Sequence, residues 1–101
     1  MATYVMLMKF TERGAADIMD AKAGRAAGKR AAAAMGVKWK TSYLMMGEYD
    51  VLVLLEAPDD ETMMRFALVG AMAGAVNTST MRVFTEREAD ELIQSLPTPP
   101  E

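Results

Sequence analysis

The sequence predicts an α+β fold of β-α-β-β-α-β order. This is the ferredoxin-like plan, a four-stranded antiparallel sheet in the order 4-1-3-2 with both helices on one face. Three observations predict it. Four segments rich in β-branched, aromatic and aliphatic residues are interleaved with two helix-forming segments in that order. Glycine or proline stands at the joints: Gly36, Gly47, Pro58 and Gly74. The first and third strand segments, central in this plan, are apolar at both parities, while the second and fourth, its edges, mix apolar with polar residues.

Residues 3–10, Thr-Tyr-Val-Met-Leu-Met-Lys-Phe, form the first strand, with Tyr4, Met6, Met8 and Phe10 on one face and Val5 and Leu7 on the other. Thr11 or Glu12 opens a helical stretch that runs to Met35 and stops at Gly36, where a left-handed C-cap residue belongs. One helix over 13–35 spans roughly 34 Å against roughly 27 Å for an eight-residue strand. Gly24 and Gly28 weaken its middle. A break near Asp20–Gly24 or a projecting end is expected.

Val37–Met46 is the second strand, Gly47-Glu48 the turn and Tyr49–Ala57 the third strand, so the two make a hairpin. Pro58 ends that strand, and Asp59 or Asp60 caps a helix over about 60–73 whose first turn is acidic. Its buried face draws on Met63, Met64, Phe66, Ala67, Val69, Gly70 and Ala71, and it ends at Gly74. Val76–Phe84 is the fourth strand. Thr85 with Glu88 three residues on reads as a capping box opening a short acidic helix. Residues 1–96 are then one domain, and 97–101, with Pro97, Pro99 and Pro100, a disordered tail.

Composition narrows the chemistry. The chain of 101 residues is 51% apolar and 25% charged, with 11 methionines and neither cysteine nor histidine. That excludes disulfides, thiolate nucleophiles, imidazole bases and metal sites built on His or Cys. Net charge is −3, without the basic excess of a nucleic-acid binder. No apolar run reaches membrane-spanning length and no leader is visible, so a cytoplasmic bacterial protein without a membrane or nucleic-acid partner is expected. The basic residues Lys22, Arg25, Lys29 and Arg30 read as a solvated helix face or an anion-binding stripe.

Two helices cover only one side of a four-stranded sheet. The second apolar face of the two central strands therefore predicts a subunit interface, most simply a C2 dimer through the open face, with Met6 or Met8 near its centre. The other way to cover it is for the C-terminal helix to fold back.

The hairpin reads Met46-Gly47-Glu48-Tyr49-Asp50-Val51. With the opening Thr3–Thr11, the Ala-rich helix ending Met35-Gly36-Val37-Lys38, the junction Glu56–Glu61 and a closing strand carrying Asn77, Thr78, Thr80 and Arg82, the chain resembles the GYD-domain family of small bacterial proteins. It departs from the family pattern in having no proline between Asp20 and Arg25. The resemblance implies an assembly of the dimeric α/β-barrel type, two ferredoxin-like subunits packed sheet to sheet. The hairpin is also similar to one in the ligand-binding domains of Lrp/AsnC-type regulators, which implies an effector site near the turn, between subunits.

The candidate ligand-binding residues are Lys9, Tyr43, Gly47, Glu48, Tyr49 and Asp50, with no catalytic residue, metal or cofactor assigned. Gly47 supplies a positive φ or a close approach. Asp50 accepts hydrogen bonds from N–H groups of the turn, or binds a small polar or amino-bearing ligand. Lys9 is expected to pair with Asp50, and Glu56 with Arg82 at the opposite end. Trp39 and Tyr43 share a parity on the second strand and so one face. Three functions fit: a homo-oligomeric module that binds or senses a small molecule, an assembly protein, and a cofactor-independent enzyme using Asp50, Glu48, Tyr43, Tyr49 or Lys9 as acid–base groups.

Overall fold

The computed structural model describes residues 1–99. Its order is β1 (Ala2–Phe10), α1 (Glu12–Ala16), a short 3-10 turn (Ile18–Asp20), α2 (Ala21–Ala34), β2 (Lys38–Leu44), β3 (Val51–Ala57), α3 (Asp60–Ala73), β4 (Val76–Val83) and α4 (Glu86–Gln94). All pairings are antiparallel and the sheet runs β2-β3-β1-β4, the expected order read from its other edge. Helices α2 and α3 cover one face.

Register decides what that face buries. Tyr4 stands opposite Leu55 and Arg82, and Met6 opposite Val53 and Thr80. Tyr4, Met6, Val53, Leu55 and Ala57 thus point to the helices, where Ala32, Met63, Phe66 and Ala67 meet them and close the core. Burying each large aliphatic or aromatic side chain there contributes about 1.5–3 kcal/mol. The alternate residues Val5, Leu7, Leu52 and Leu54 occupy the uncovered face. Met6, at 2% exposure, lies in the core under the helices. Met8 shares its side, so neither methionine sits on the open face.

Local signals placed most boundaries. The Asp59 carboxylate accepts the Thr62 N–H at 2.8 Å and caps α3, which ends at Gly74 in the left-handed conformation. The Thr85–Glu88 capping box forms as expected. The Thr85 N–H on its carboxylate holds Glu88 below the usual carboxyl range. The long helical stretch does break, but at Asp17–Asp20, ahead of the expected Asp20–Gly24. Tertiary contacts set this position. The Thr11 N–H donates to the Ala75 carbonyl at 3.1 Å, and the Thr11 hydroxyl to the Gly74 carbonyl at 2.8 Å. A Cβ on Gly14 would stand 2.0 Å from the Ala75 oxygen, so α1 is seated against the end of α3 before α2 begins.

Two features depart from the sequence reading. The hairpin connection is Met45–Asp50 rather than Gly47-Glu48 alone, because β2 ends at Leu44 and β3 starts at Val51. A bulge at Lys40 leaves Trp39 opposite Leu55 and Thr41 opposite Leu54. The extra residue reverses the alternation. Trp39 therefore faces the helices, its ring 3.3 Å from the position of a Cβ on Gly28, while Tyr43 lies on the open face. The two aromatics do not share a side.

Helix α4 leaves the body of the molecule. Leu92, Ile93 and Leu96 are exposed, and the molecule measures 59 × 31 × 19 Å. It does not fold back over the sheet. Residues Pro97–Pro99 follow it without regular structure, and the last two residues of the expected tail lie outside the described residues.

Candidate functional site

The hairpin loop is built around Asp50. Its N–H donates to the Met8 carbonyl at 2.8 Å, and its carboxylate Oδ2 accepts the Phe10 N–H at 2.8 Å. Its carbonyl accepts the Met45 N–H at 2.7 Å, closing the loop. The carboxylate thus satisfies a β1 donor that lies beyond Met8, the last residue of β1 paired with β3. The hydrogen-bonding partner is the end of β1, not the turn's own N–H groups. Gly47 takes φ +110°, a conformation that side chains resist, and a Cβ there would meet nothing, so backbone conformation is what calls for glycine.

The remaining candidates surround this node without converging on it. Lys9 and Glu48 are exposed, and Tyr49 is half-buried. Lys9 forms no ion pair with Asp50 among the described residues, and the carboxylate accepts the Phe10 N–H instead. Tyr43, Leu52, Leu7 and Ser79 form one row across the open face, and Lys9 beside Asn77 lies one step beyond it. Lys9 and Tyr43 therefore border the hairpin end of the uncovered apolar surface.

The expected Glu56–Arg82 pair does not form. Arg82 lies opposite Tyr4 on the helix side, whereas Glu56 lies opposite Thr3 on the open side. Glu56 instead meets Lys40 at 3.6 Å. Arg82 meets Glu88 at 3.6 Å, donates to the Thr3 carbonyl at 3.2 Å and to that of Val83, and lies 4.5 Å from the Phe84 ring centroid.

Arg82 belongs to a cleft of about 400 Å³ on the helix side that the sequence reading did not find. Tyr4 lies at its base and donates its hydroxyl to Asp60 Oδ1. Burial, then the hydrogen bond to Asp60 and its negative charge, push the Tyr4 phenol up to about 12. Such a phenol stays protonated at neutral pH and is poorly suited to general base work. The available signal was the shared parity of Tyr4 and Arg82 on paired strands, which becomes useful only once register is known.

A wider groove of about 800 Å³ lies between α2 and β2, with Arg25, Lys29, Lys38 and Lys40 on its walls and Val37 and Trp39 within it. Two members of the helical basic cluster, Arg25 and Lys29, are thereby brought beside two lysines of β2.

Among the described residues no three carboxylates are grouped so as to hold a metal ion, and no helix is long and apolar enough to cross a membrane. Fold and hairpin together define a ferredoxin-like α+β module whose second and third strands are joined by a Gly-x-Tyr-Asp loop. The family model of the GYD domain matches residues 4–93, and the chain belongs to that family. Comparison with curated proteins and with solved structures returned no match.

Proposed function

We propose that the chain is a homo-oligomeric module, bacterial and cytoplasmic, that binds or senses a small polar molecule at the boundary between subunits. The observation that carries this reading is the uncovered sheet face. Val5, Leu7, Leu52 and Leu54 make its centre, both covering helices lie on the other side, and α4 leaves it free. A contiguous apolar surface of this kind marks an interaction site, and a second identical face is its simplest partner.

The ligand sits at the hairpin end of that interface. Lys9 supplies a cation, Tyr43 a phenol and aromatic surface, and the Gly47-Glu48-Tyr49 backbone supplies polar groups. Asp50 holds the loop in place. Its carboxylate is already engaged by Phe10, which favours binding over acid–base catalysis at this position.

The test is sedimentation equilibrium combined with ligand-dependent thermal shift. The wild type is expected at the mass of a dimer or larger, and Leu54→Glu at that of a folded monomer. Amino acids and small carboxylates are expected to raise the melting temperature of the wild type but not of a Lys9→Ala/Tyr43→Ala variant that keeps its oligomeric mass. A monomeric wild type overturns the assembly. An oligomer unmoved by every ligand overturns the binding role.

A further inference from the structure

We propose that α4 of one copy of the chain docks in the basic groove between α2 and β2 of another copy. This contact is separate from pairing through the open sheet face and does not depend on it.

The first observation is the helix. Leu92, Ile93 and Leu96, at the spacing of one helix face, are 50%, 64% and 67% exposed. Ala89 lies on the same stripe. Helices of fewer than about 12 residues are marginal in water unless packed, and α4 has nine. What ties it to the rest of the described chain is its N-terminal end: the capping box and the Arg82–Glu88 pair. Its apolar stripe is left exposed by the described residues.

The second observation is charge. Residues 21–47 hold six of the eleven basic residues and none of the fourteen acidic ones. Four of the six line the groove, and Arg25, Lys29 and Lys38 have no carboxylate within 4.0 Å among the described residues. Met1, Ala33 and half-buried Trp39 give the same groove an apolar patch. On α4, Glu88 and Glu91 are paired with Arg82 and Arg87, but Glu86 and Asp90 have no cation within 4.0 Å among the described residues. Helical geometry puts both beside Ile93, along one border of the stripe. An apolar stripe edged by free carboxylates thus meets a groove of mixed lining walled by three free cations, matched first in charge and second in its apolar patch.

A second copy is the occupant because α4 starts from β4, at one sheet edge, and the groove lies along β2, at the other. Helix α4 projects outward, leaving its own groove open.

The absence of cysteine makes a direct test possible, since introduced thiols are unique. One full-length chain carries Ile93→Cys and the other Ala33→Cys, a groove position. The two are mixed and oxidised at low salt, and the disulfide-linked species is read on a non-reducing gel. Strong linkage is expected, well above that of Ile93→Cys with Met19→Cys. Adding Arg25→Glu and Lys29→Glu to the groove chain, with folding checked by circular dichroism, is expected to lower the yield about tenfold, and Glu86→Lys with Asp90→Lys on the helix chain to restore it. Leu54→Glu in both chains is expected to leave the linkage in place, which separates this contact from the sheet-face dimer. Linkage no greater than the Met19 control, preferential linkage to Ser79→Cys on the open face, an intramolecular bond in a doubly substituted chain, or a yield indifferent to charge reversal overturns the proposal.

Discussion

At the residue scale Asp50 shows how a motif residue acts through backbone hydrogen bonding. It joins the loop to β1 twice, once by its N–H and once by its carboxylate. Replacing Asp50 with Ala leaves the Phe10 N–H without its acceptor, and a hydrogen bond to a charged group contributes about 1.5–3 kcal/mol. We expect Asp50→Ala to lose roughly that much in urea unfolding, and Asp50→Asn, which keeps an acceptor oxygen, to lose less than half of it. Tyr4 carries a pH signature. Its phenol titrates near 10 when unfolded and is raised to about 12 in the fold, so the native state holds the proton longer. Its contribution to stability is full below pH 10 and is lost as pH rises toward 12. Comparing unfolding at pH 9 and pH 11 is expected to show a smaller decline for Tyr4→Phe than for the wild type. Asp50 as a hydrogen-bond acceptor was legible in the sequence. Its partner was not, since Phe10 lies forty residues away and is reached only through the pairing of β1 with β3.

At the scale of elements, the sequence carried strand order, caps and helix ends, because each has a local cause: Asp59 before Thr62, Thr85 before Glu88, Gly74 at a left-handed position. It did not carry the bulge. Trp39-Lys40-Thr41 contains no glycine or proline to mark an extra residue, so simple alternation placed Trp39 and Tyr43 together. The two glycines of α2 looked alike in sequence and are not alike in place. A Cβ on Gly24 meets nothing within 4 Å, while one on Gly28 reaches the Trp39 ring at 3.3 Å. Gly24→Ala is therefore expected to stabilise the protein by about 0.5–1 kcal/mol. Gly28→Ala is expected to gain nothing, the helical benefit being offset by displacement of the indole. Thermal unfolding of the two variants side by side checks this.

At the scale of the whole molecule, the sheet is a partition with one side covered and one bare. This was legible because the central strands are apolar at both parities, as Val5 and Leu7 show beside Tyr4 and Met6. Which parity faced outward was not, because it depends on where the helices settle. If the bare side pairs with itself, the melting temperature of the wild type is expected to rise with protein concentration, and that of Leu54→Glu to stay constant. The bulge acquires its meaning at this scale. It is the point along β2 at which inside and outside are exchanged, and a single codon encodes it. Deleting Lys40 would remove the bulge and leave the pairing on either side of it unchanged. Trp39 and Thr41 would become neighbours and keep their partners Leu55 and Leu54, which already stand side by side in β3, so the Trp39 indole would stay under the helices and Tyr43 on the bare side. For this protein, the loss of codon 40 is therefore a lighter genetic lesion than the loss of one codon in the middle of β1, where no extra residue stands ready to be given up and part of the strand would turn inside out.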